Sequence, residues 1–177
     1  WVSLYMNRGD GLLEYFSVLR PRAPDPVRIA VADWTTKYAR SMDNGETWAA
    51  LPDETNLPGT PYCIAYGGGK FVVGGKTTNH LAYSTDSGTT WTGCGTVFGA
   101  GATDKVLDIA WNGTVFIAVG DTSVSGKAGI AVSWDGASWE LVADASTTGL
   151  PDGANPYQIT TRGNAFVGTP ASPGYNP

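Results

Sequence analysis

Short apolar stretches with a period of two, each closed by a glycine-containing turn, run through most of the chain. The clearest is Cys63-Ile64-Ala65-Tyr66-Gly67-Gly68-Gly69-Lys70-Phe71-Val72-Val73-Gly74-Gly75, which predicts a strand, a tight turn and a second strand. Residues 108–120 repeat it around Asn112-Gly113, and 158–168 repeat it around Gly163-Asn164. These dipeptides supply the positive φ that short hairpins need, and alternation along the second strand sends Phe71, Phe116 or Phe166 to one face. His80-Leu81-Ala82-Tyr83 and Gly129-Ile130-Ala131-Val132 then predict a third strand. A polar turn and a tryptophan follow, and the tryptophan opens a fourth.

That polar turn recurs. Ser41-Met42-Asp43-Asn44-Gly45-Glu46-Thr47-Trp48 and Ser84-Thr85-Asp86-Ser87-Gly88-Thr89-Thr90-Trp91 both fit S-x-D-x-G-x-x-W. Ser133-Trp134-Asp135-Gly136-Ala137-Ser138-Trp139 is the same pattern one residue shorter. The three starts lie 43 and 49 residues apart, the length of one four-stranded propeller blade. Each residue type has a structural task in such a turn. Asp accepts backbone N–H groups, Gly takes a backbone conformation that a Cβ forbids, Ser bonds nearby backbone, and Trp folds over the loop. The expectation is an all-β chain, a β-propeller or partial propeller of antiparallel four-stranded blades: 29–51 (partial), 62–95, 106–143 and 157–169 (partial), within a propeller region 27–177. That is about three and a half blades, whereas closed rings start at about four. The ring is therefore expected to be an excerpt of a longer chain or to be completed by copies and partners.

Residues 1–26 depart from the repeat and predict an extended leader or docking arm. Within it, 12–19 suits a strand, either the missing inner strand of the first blade or one that pairs with another subunit. Arg20 to Pro26 holds three prolines and reads as a connector. The first residue is Trp1 rather than Met, which suggests a processed product or an excerpt.

Glycine at 24 and proline at 11 make up about a fifth of the 177 residues, and charged residues only 15%, which fits many short strands and tight turns. Seven Trp and eight Tyr exceed what a small core hides, so some aromatic surface should face a partner. The net charge is −5 and uneven: residues 1–40 carry six Lys/Arg against four Asp/Glu, and 41–177 carry five against twelve. An acidic body repels phosphate backbones, so nucleic acid is not an expected partner. No apolar run of 18 residues suggests membrane insertion. Cys63 and Cys94 stand at the two ends of one repeat, and spacing leaves open whether they are disulfide-linked or free.

The paired turns and hairpins resemble the Asp-box (BNR) repeat families, which include sialidases, sortilin-type receptors, some glycoside hydrolases and a photosystem assembly factor. The phrasing Ile64-Ala65-Tyr66 to Phe71-Val72 followed by Ala82-Tyr83-Ser84-Thr85-Asp86 to Trp91 is especially similar to repeats of bacterial and phage surface and tail proteins. The resemblance covers about residues 27–169 and implies fold far more than activity. For a sialidase it implies an arginine clamp, a Tyr–Glu pair and an acidic acid/base. After residue 41 the only arginine is Arg162. Val27-Arg28-Ile29-Ala30 half resembles the arginine motif but lacks its closing proline, and Glu14 and Tyr15, adjacent on a strand, point to opposite faces.

Other chemistry is equally thin. His80 is the only histidine and is expected on the surface at a turn, so triads and multi-histidine metal sites lack partners. Gly67-Gly68-Gly69 and Gly99-Ala100-Gly101 are hairpin and linker glycines, with no helix or Gly-Lys-Ser/Thr behind them. Arg8-Gly9-Asp10 and the Asn112-Gly113-Thr114 sequon are short enough to arise by chance. Trp111, Trp134 and Tyr66 are candidates for glycan stacking, as Trp34 and Tyr83 are at lesser weight, with packing between blades as the competing role. No cofactor or metal is expected. The sequence is thus read as a non-catalytic structural or interaction module of a phage tail, virion or other extracellular surface assembly, meeting several subunit copies and surface glycans. The alternatives are a carbohydrate-binding propeller module, with loops such as 76–80 and 121–128 in play, and a sialidase-like hydrolase fragment. The Asp-box residues Ser41, Asp43, Gly45, Trp48, Ser84, Asp86, Gly88, Trp91, Ser133, Asp135, Gly136 and Trp139 are read as scaffold.

Overall fold

The computed structural model describes residues 2–7, 13–18, 26–32, 37–51, 54–125, 127–143, 156–162 and 165–170. Among these described residues run fifteen strands: β1 (Val2–Asn7), β2 (Leu13–Val18), β3 (Arg28–Val31), β4 (Tyr38–Ser41), β5 (Ala49–Ala50), β6 (Thr60–Gly67), β7 (Lys70–Lys76), β8 (Leu81–Ser84), β9 (Thr92–Gly93), β10 (Lys105–Trp111), β11 (Phe116–Asp121), β12 (Lys127–Ser133), β13 (Glu140–Ala143), β14 (Pro156–Arg162) and β15 (Ala165–Pro170). Among the described residues the inter-strand pairing is antiparallel between sequence neighbours, apart from one residue pair, Lys105 with Lys76, that joins β10 to β7. The chain is a partial propeller: β2–β5, β6–β9 and β10–β13 are four-stranded meanders, and β14–β15 begin a fourth. Of the two places open to the segment 12–19, the structure shows the first, with β2 pairing β3 through Ser17 with Val31 and Val18 with Ala30. β1 adds a further strand on the far side of β2. The connector 20–25, Trp34, the Gly163-Asn164 turn and the Arg8-Gly9-Asp10 tripeptide lie outside the described residues.

Alternation along the strands feeds two different cores. Ile64, Phe71, Val73, Ala82 and Trp91 of the second blade join Val27, Ile29, Val31 and Tyr38 of the first. Their neighbours Cys63, Ala65, Val72 and Leu81 turn the other way and join Val106, Ile109, Phe116, Ala118 and Ala131 of the third. Ala110 and Val119 meet Ile159 of the fourth. The second blade is thus sandwiched, which is why β7 is buried on both faces from Phe71 to Gly75 and reads as a continuous apolar run. Phe71 and Phe116 occupy equivalent positions and each faces the preceding blade. Each such buried side chain stabilises the stack by about 1.5–3 kcal/mol.

The inner strands share a feature the sequence did not announce. The ladder slips by one residue at Tyr62 in β6, Leu107 in β10 and Tyr157 in β14, between Pro61/Cys63, Val106/Asp108 and Pro156/Gln158. A bulge at the same place in each blade bends the inner strand and raises its twist. Gly75 and Gly120 lie opposite the first two bulges, where a Cβ would stand 2.2 Å from the Thr60 carbonyl oxygen and 2.0 Å from that of Lys105. Only glycine allows backbones so close.

Candidate functional site

An antiparallel meander alternates ends, so the molecule has two chemically distinct rims. One rim carries the hairpins β6–β7 and β10–β11 together with the Ser-Asp-Gly-Trp turns after β4, β8 and β12. The other carries the β7–β8, β9–β10 and β11–β12 connections.

At the first rim the three turns share one hydrogen-bond scheme. Buried Ser41, Ser84 and Ser133 donate to the carboxylates of Asp43, Asp86 and Asp135 at 2.6, 2.8 and 3.0 Å. Their hydroxyl oxygens accept the amides of Gly45, Gly88 and Gly136 at 2.8, 2.9 and 2.8 Å. The aspartates then accept an amide and a hydroxyl further on: Thr47 on Asp43, Thr90 on Asp86 and Ser138 on Asp135. The shorter third turn keeps both bonds by using the residue one place earlier. Ser41 and Thr47 hold the Asp43 carboxyl well below the usual carboxylate range. The Ser138 and Ala137 amides do the same for Asp135. Partial burial acts upward on Asp86 but is outweighed by Thr90, Ser84 and Thr89, leaving it low as well. These carboxylates are spent on the turn.

The glycines do a second job. Gly88 (φ +76°) sits where a Cβ would lie 2.5 Å from Ile29 Cδ1 of the first blade, and Gly136 (φ +71°) where one would lie 3.2 Å from Val72 Cγ2 of the second. Ile29 pairs with Arg40 and Val72 with Tyr83, so the two occupy the same repeat position. Each turn therefore rests on the second strand of the preceding blade. Polar contacts follow the same step: the Arg40 guanidinium donates to Thr89 Oγ1 at 2.9 Å and Lys70 Nζ to the Asp135 carbonyl at 2.5 Å. The tryptophans differ among themselves. Trp48 and Trp139 donate Nε1–H to the carbonyls of Gly45 and Gly136 at 3.1 and 3.3 Å, while Trp91 is buried and its Nε1 has no partner among the described residues.

The aromatic candidates fall into two groups. Tyr66 and Trp111, equivalent in the repeat, pack on Phe71 and Phe116 with ring centroids 4.7 and 4.4 Å apart. Tyr66 lies against the first interblade core and Trp111 against the second. The Trp111 ring lies so close to Gly67 that a Cβ there would meet it at 2.2 Å. Trp134 is 67% exposed, and Met42, at the same turn position, is 56% exposed. Asn112, the sequon residue, accepts the Thr114 and Val115 amides with its own Oδ1, both at 2.9 Å.

The second rim holds a cleft of about 300 Å³ lined by Lys76, Thr77, His80, Thr96, Ala100, Gly101, Ala102 and Asp104. His80, expected on the surface, is buried at 2% exposure. The reason lies in the β9–β10 connection: Phe98 packs edge-on against its ring at 6.5 Å between centroids, and its Nδ1 accepts the Phe98 amide at 3.2 Å. Burial holds its pKa below the ordinary histidine value, against the opposing pull of Asp104, so the ring is neutral with its proton on Nε2. Asp104 is 1% exposed. Its Oδ2 accepts the Gly101 amide and the Ser123 hydroxyl, both at 2.7 Å, and its Oδ1 is buried with no partner among the described residues. Gly99 and Gly101, read as linker glycines, let this loop wrap the carboxylate, since a Cβ on either would meet Asp104 Oδ2 at 2.4 or 3.0 Å. Thr77 at φ +95° is a β-branched residue in a region that side chains avoid, a conformation costing about 1–3 kcal/mol. Its Oγ1 accepts the Gly59 amide at 2.9 Å, which helps hold it there. Sequence reasoning named the loops 76–80 and 121–128, which hold Lys76, Thr77 and Ser123, but missed Asp104 and the meeting of these residues. They come from three separate connections and share no motif.

Two further groups complete the inventory. Cys63 and Cys94 are both free. Burial raises the Cys63 thiol well above its ordinary value and, with Asp135 nearby, pushes Cys94 up to about 11. Asp108 stands where the second blade has Cys63, and its carboxylate accepts the Ile159 amide of the fourth blade at 2.9 Å. Desolvation pushes its pKa up to about 6 despite that bond and the one from the Ile109 amide. Among the described residues no group of three His, Cys, Asp or Glu side chains is placed to hold a metal ion, and no helix is long and apolar enough to cross a membrane.

Strand order, repeated bulges and turn-to-blade contacts define a protein of the β-propeller class. No family profile and no curated protein matches the chain. Among solved structures it is similar to YCF48 bound to D1 peptide, at 18% identity and a TM-score of 0.47, covering 76% of this chain and 41% of that one. It is likewise similar to YCF48 from Cyanidioschyzon merolae, at 15% identity and a TM-score of 0.47, covering 85% of this chain and 50% of that one. The chain spans half or less of the length of these two structures.

Proposed function

We propose that this chain is a non-catalytic interaction module of the Asp-box (BNR) repeat type, serving in an extracellular surface assembly of the phage tail or virion kind. The observation that carries the reading is the exposure of Met42 and Trp134, which occupy the same place in two turns. The turn itself does not require an apolar residue there, because the second turn holds exposed Thr85 with the same bonds. Met and Trp on one rim are chemistry suited to another protein surface. The repeat wording supports the tail or virion setting, and other subunits of the assembly are the partners.

Particles assembled with the Met42→Asp/Trp134→Asp variant in place of the native chain should hold at least about tenfold less of it, the effect of losing about 1.4 kcal/mol of contact. The purified variant should keep the native melting temperature. Equal incorporation, or absence of the native chain from any particle, would overturn the proposal. The exposure of Trp134 also favours a second reading, a carbohydrate-binding module in which its ring stacks on a sugar. That reading requires hits on a glycan array that disappear in Trp134→Ala.

A further inference from the structure

We infer that the cleft at the rim opposite the turns is a binding site for a small neutral polyhydroxyl ligand of the monosaccharide class. Its ligand class is that of the carbohydrate reading above, but its residues and its end of the molecule are different. Three independent features point to a built site. Asp104 is almost wholly buried at the cleft, with one carboxylate oxygen anchored twice and the other lacking any partner among the described residues. A buried acceptor left unpaired is costly and calls for a donor. Thr77 beside it is held in a disfavoured backbone conformation, and such strain clusters at ligand sites. The cleft is open on one side, and its volume, about 300 Å³, is at the lower end of small-ligand pockets.

The chemistry of the lining selects the ligand. With Nδ1 committed to the Phe98 amide, neutral His80 offers Nε2–H as a donor, and no bond to that nitrogen occurs among the described residues. Lys76 adds an ammonium with no ion-pair partner among the described residues, whereas its neighbour across the ladder, Lys105, is paired with Asp121 at 3.1 Å. A simple cation entering the cleft would meet Lys76, and a simple anion would meet Asp104. A hydroxyl group meets neither objection. It donates to the Asp104 carboxylate and accepts from His80 Nε2–H or Lys76 Nζ, and adjacent hydroxyls on one ring repeat the pattern with Thr77 and Thr96. Ala100, Gly101 and Ala102 leave space for a ring where larger side chains would close it.

The test is an amide NMR titration of the purified chain with methyl glucoside, methyl galactoside, methyl mannoside and N-acetylglucosamine, with glycine and methylammonium chloride as charged comparisons. At least one sugar should shift the Lys76, Gly101 and Ser123 amides and saturate with a dissociation constant of about 1–10 mM. Asp104→Asn keeps an acceptor for Gly101 while replacing the free acceptor by a donor, and should weaken binding at least about tenfold. Ala102→Trp fills the mouth without touching the carboxylate and should abolish it, and Trp134→Ala should leave it unchanged. The inference is overturned if no sugar moves these amides up to about 100 mM. It is equally overturned if both cleft variants bind as the native chain does, or if only glycine or methylammonium binds.

Discussion

Asp86 collects a serine hydroxyl, two backbone amides and a threonine hydroxyl within one eight-residue turn. Removing that hub in Asp86→Ala leaves the donors to water, and a loss of about 1–3 kcal/mol in urea denaturation is expected. Since all three turn aspartates titrate below their ordinary value, their stabilisation is present above about pH 4 and is lost as the pH falls further. Asp108 works in the opposite sense. Its folded pKa of about 6 exceeds the unfolded value, so its contribution is complete below about pH 4 and is lost as the pH rises through 6. His80, with a lowered pKa, contributes above about pH 6.5 and loses that contribution on acidification. Comparing the native chain with Asp108→Asn from pH 4 to 7 isolates the Asp108 contribution. The native chain should lose up to about 2–3 kcal/mol relative to the variant as the pH rises. The same physics governs the thiols: both are protonated at neutral pH and partly or wholly buried. Ellman's reagent should therefore react with Cys94 slowly and with Cys63 only on unfolding.

At the scale of the element, the blades are joined by a few bonds that period-two patterns do not encode. The hairpins around Gly68-Gly69 and Asn112-Gly113, the third strands and the turns were legible because their chemistry is local: turn residues and alternation act over four to eight positions. The bulges at Tyr62 and Leu107 were not, since a bulge depends on what the partner strand places opposite it. The Asp108 bond to Ile159 was hidden for a related reason: it links residues of different blades through a slot that holds cysteine in the blade before. The burial of His80 was misjudged because the covering residue, Phe98, comes from the β9–β10 connection rather than from the turn itself. The cleft was illegible apart from the loops 76–80 and 121–128, because its residues converge only after two blades have packed. A prediction belongs at this scale. Asp108→Ala should speed hydrogen exchange at the Ile159 amide at least about tenfold while leaving the amides of β6 and β7 protected, because it unpins one blade and not the stack.

For the whole molecule, the two rims divide the labour. One rim fastens each blade to the one before it through turn glycines, Arg40 and Lys70, and displays Met42 and Trp134 outward. The other carries the strained threonine and the unpaired buried carboxylate. The central claim is that consecutive repeats stack as blades, with the turn glycines Gly88 and Gly136 seated on the second strand of the preceding blade. A double-mutant cycle on Gly88→Ala and Ile29→Ala tests it most directly. Gly88→Ala alone should cost about 2–4 kcal/mol, from backbone strain and overlap with Ile29 Cδ1. Removing the Ile29 side chain should relieve the overlap, so the double variant should be at least about 1 kcal/mol more stable than the two single losses add up to. Strict additivity would mean that the second turn does not rest on the first blade, and would contradict the stacked-blade account.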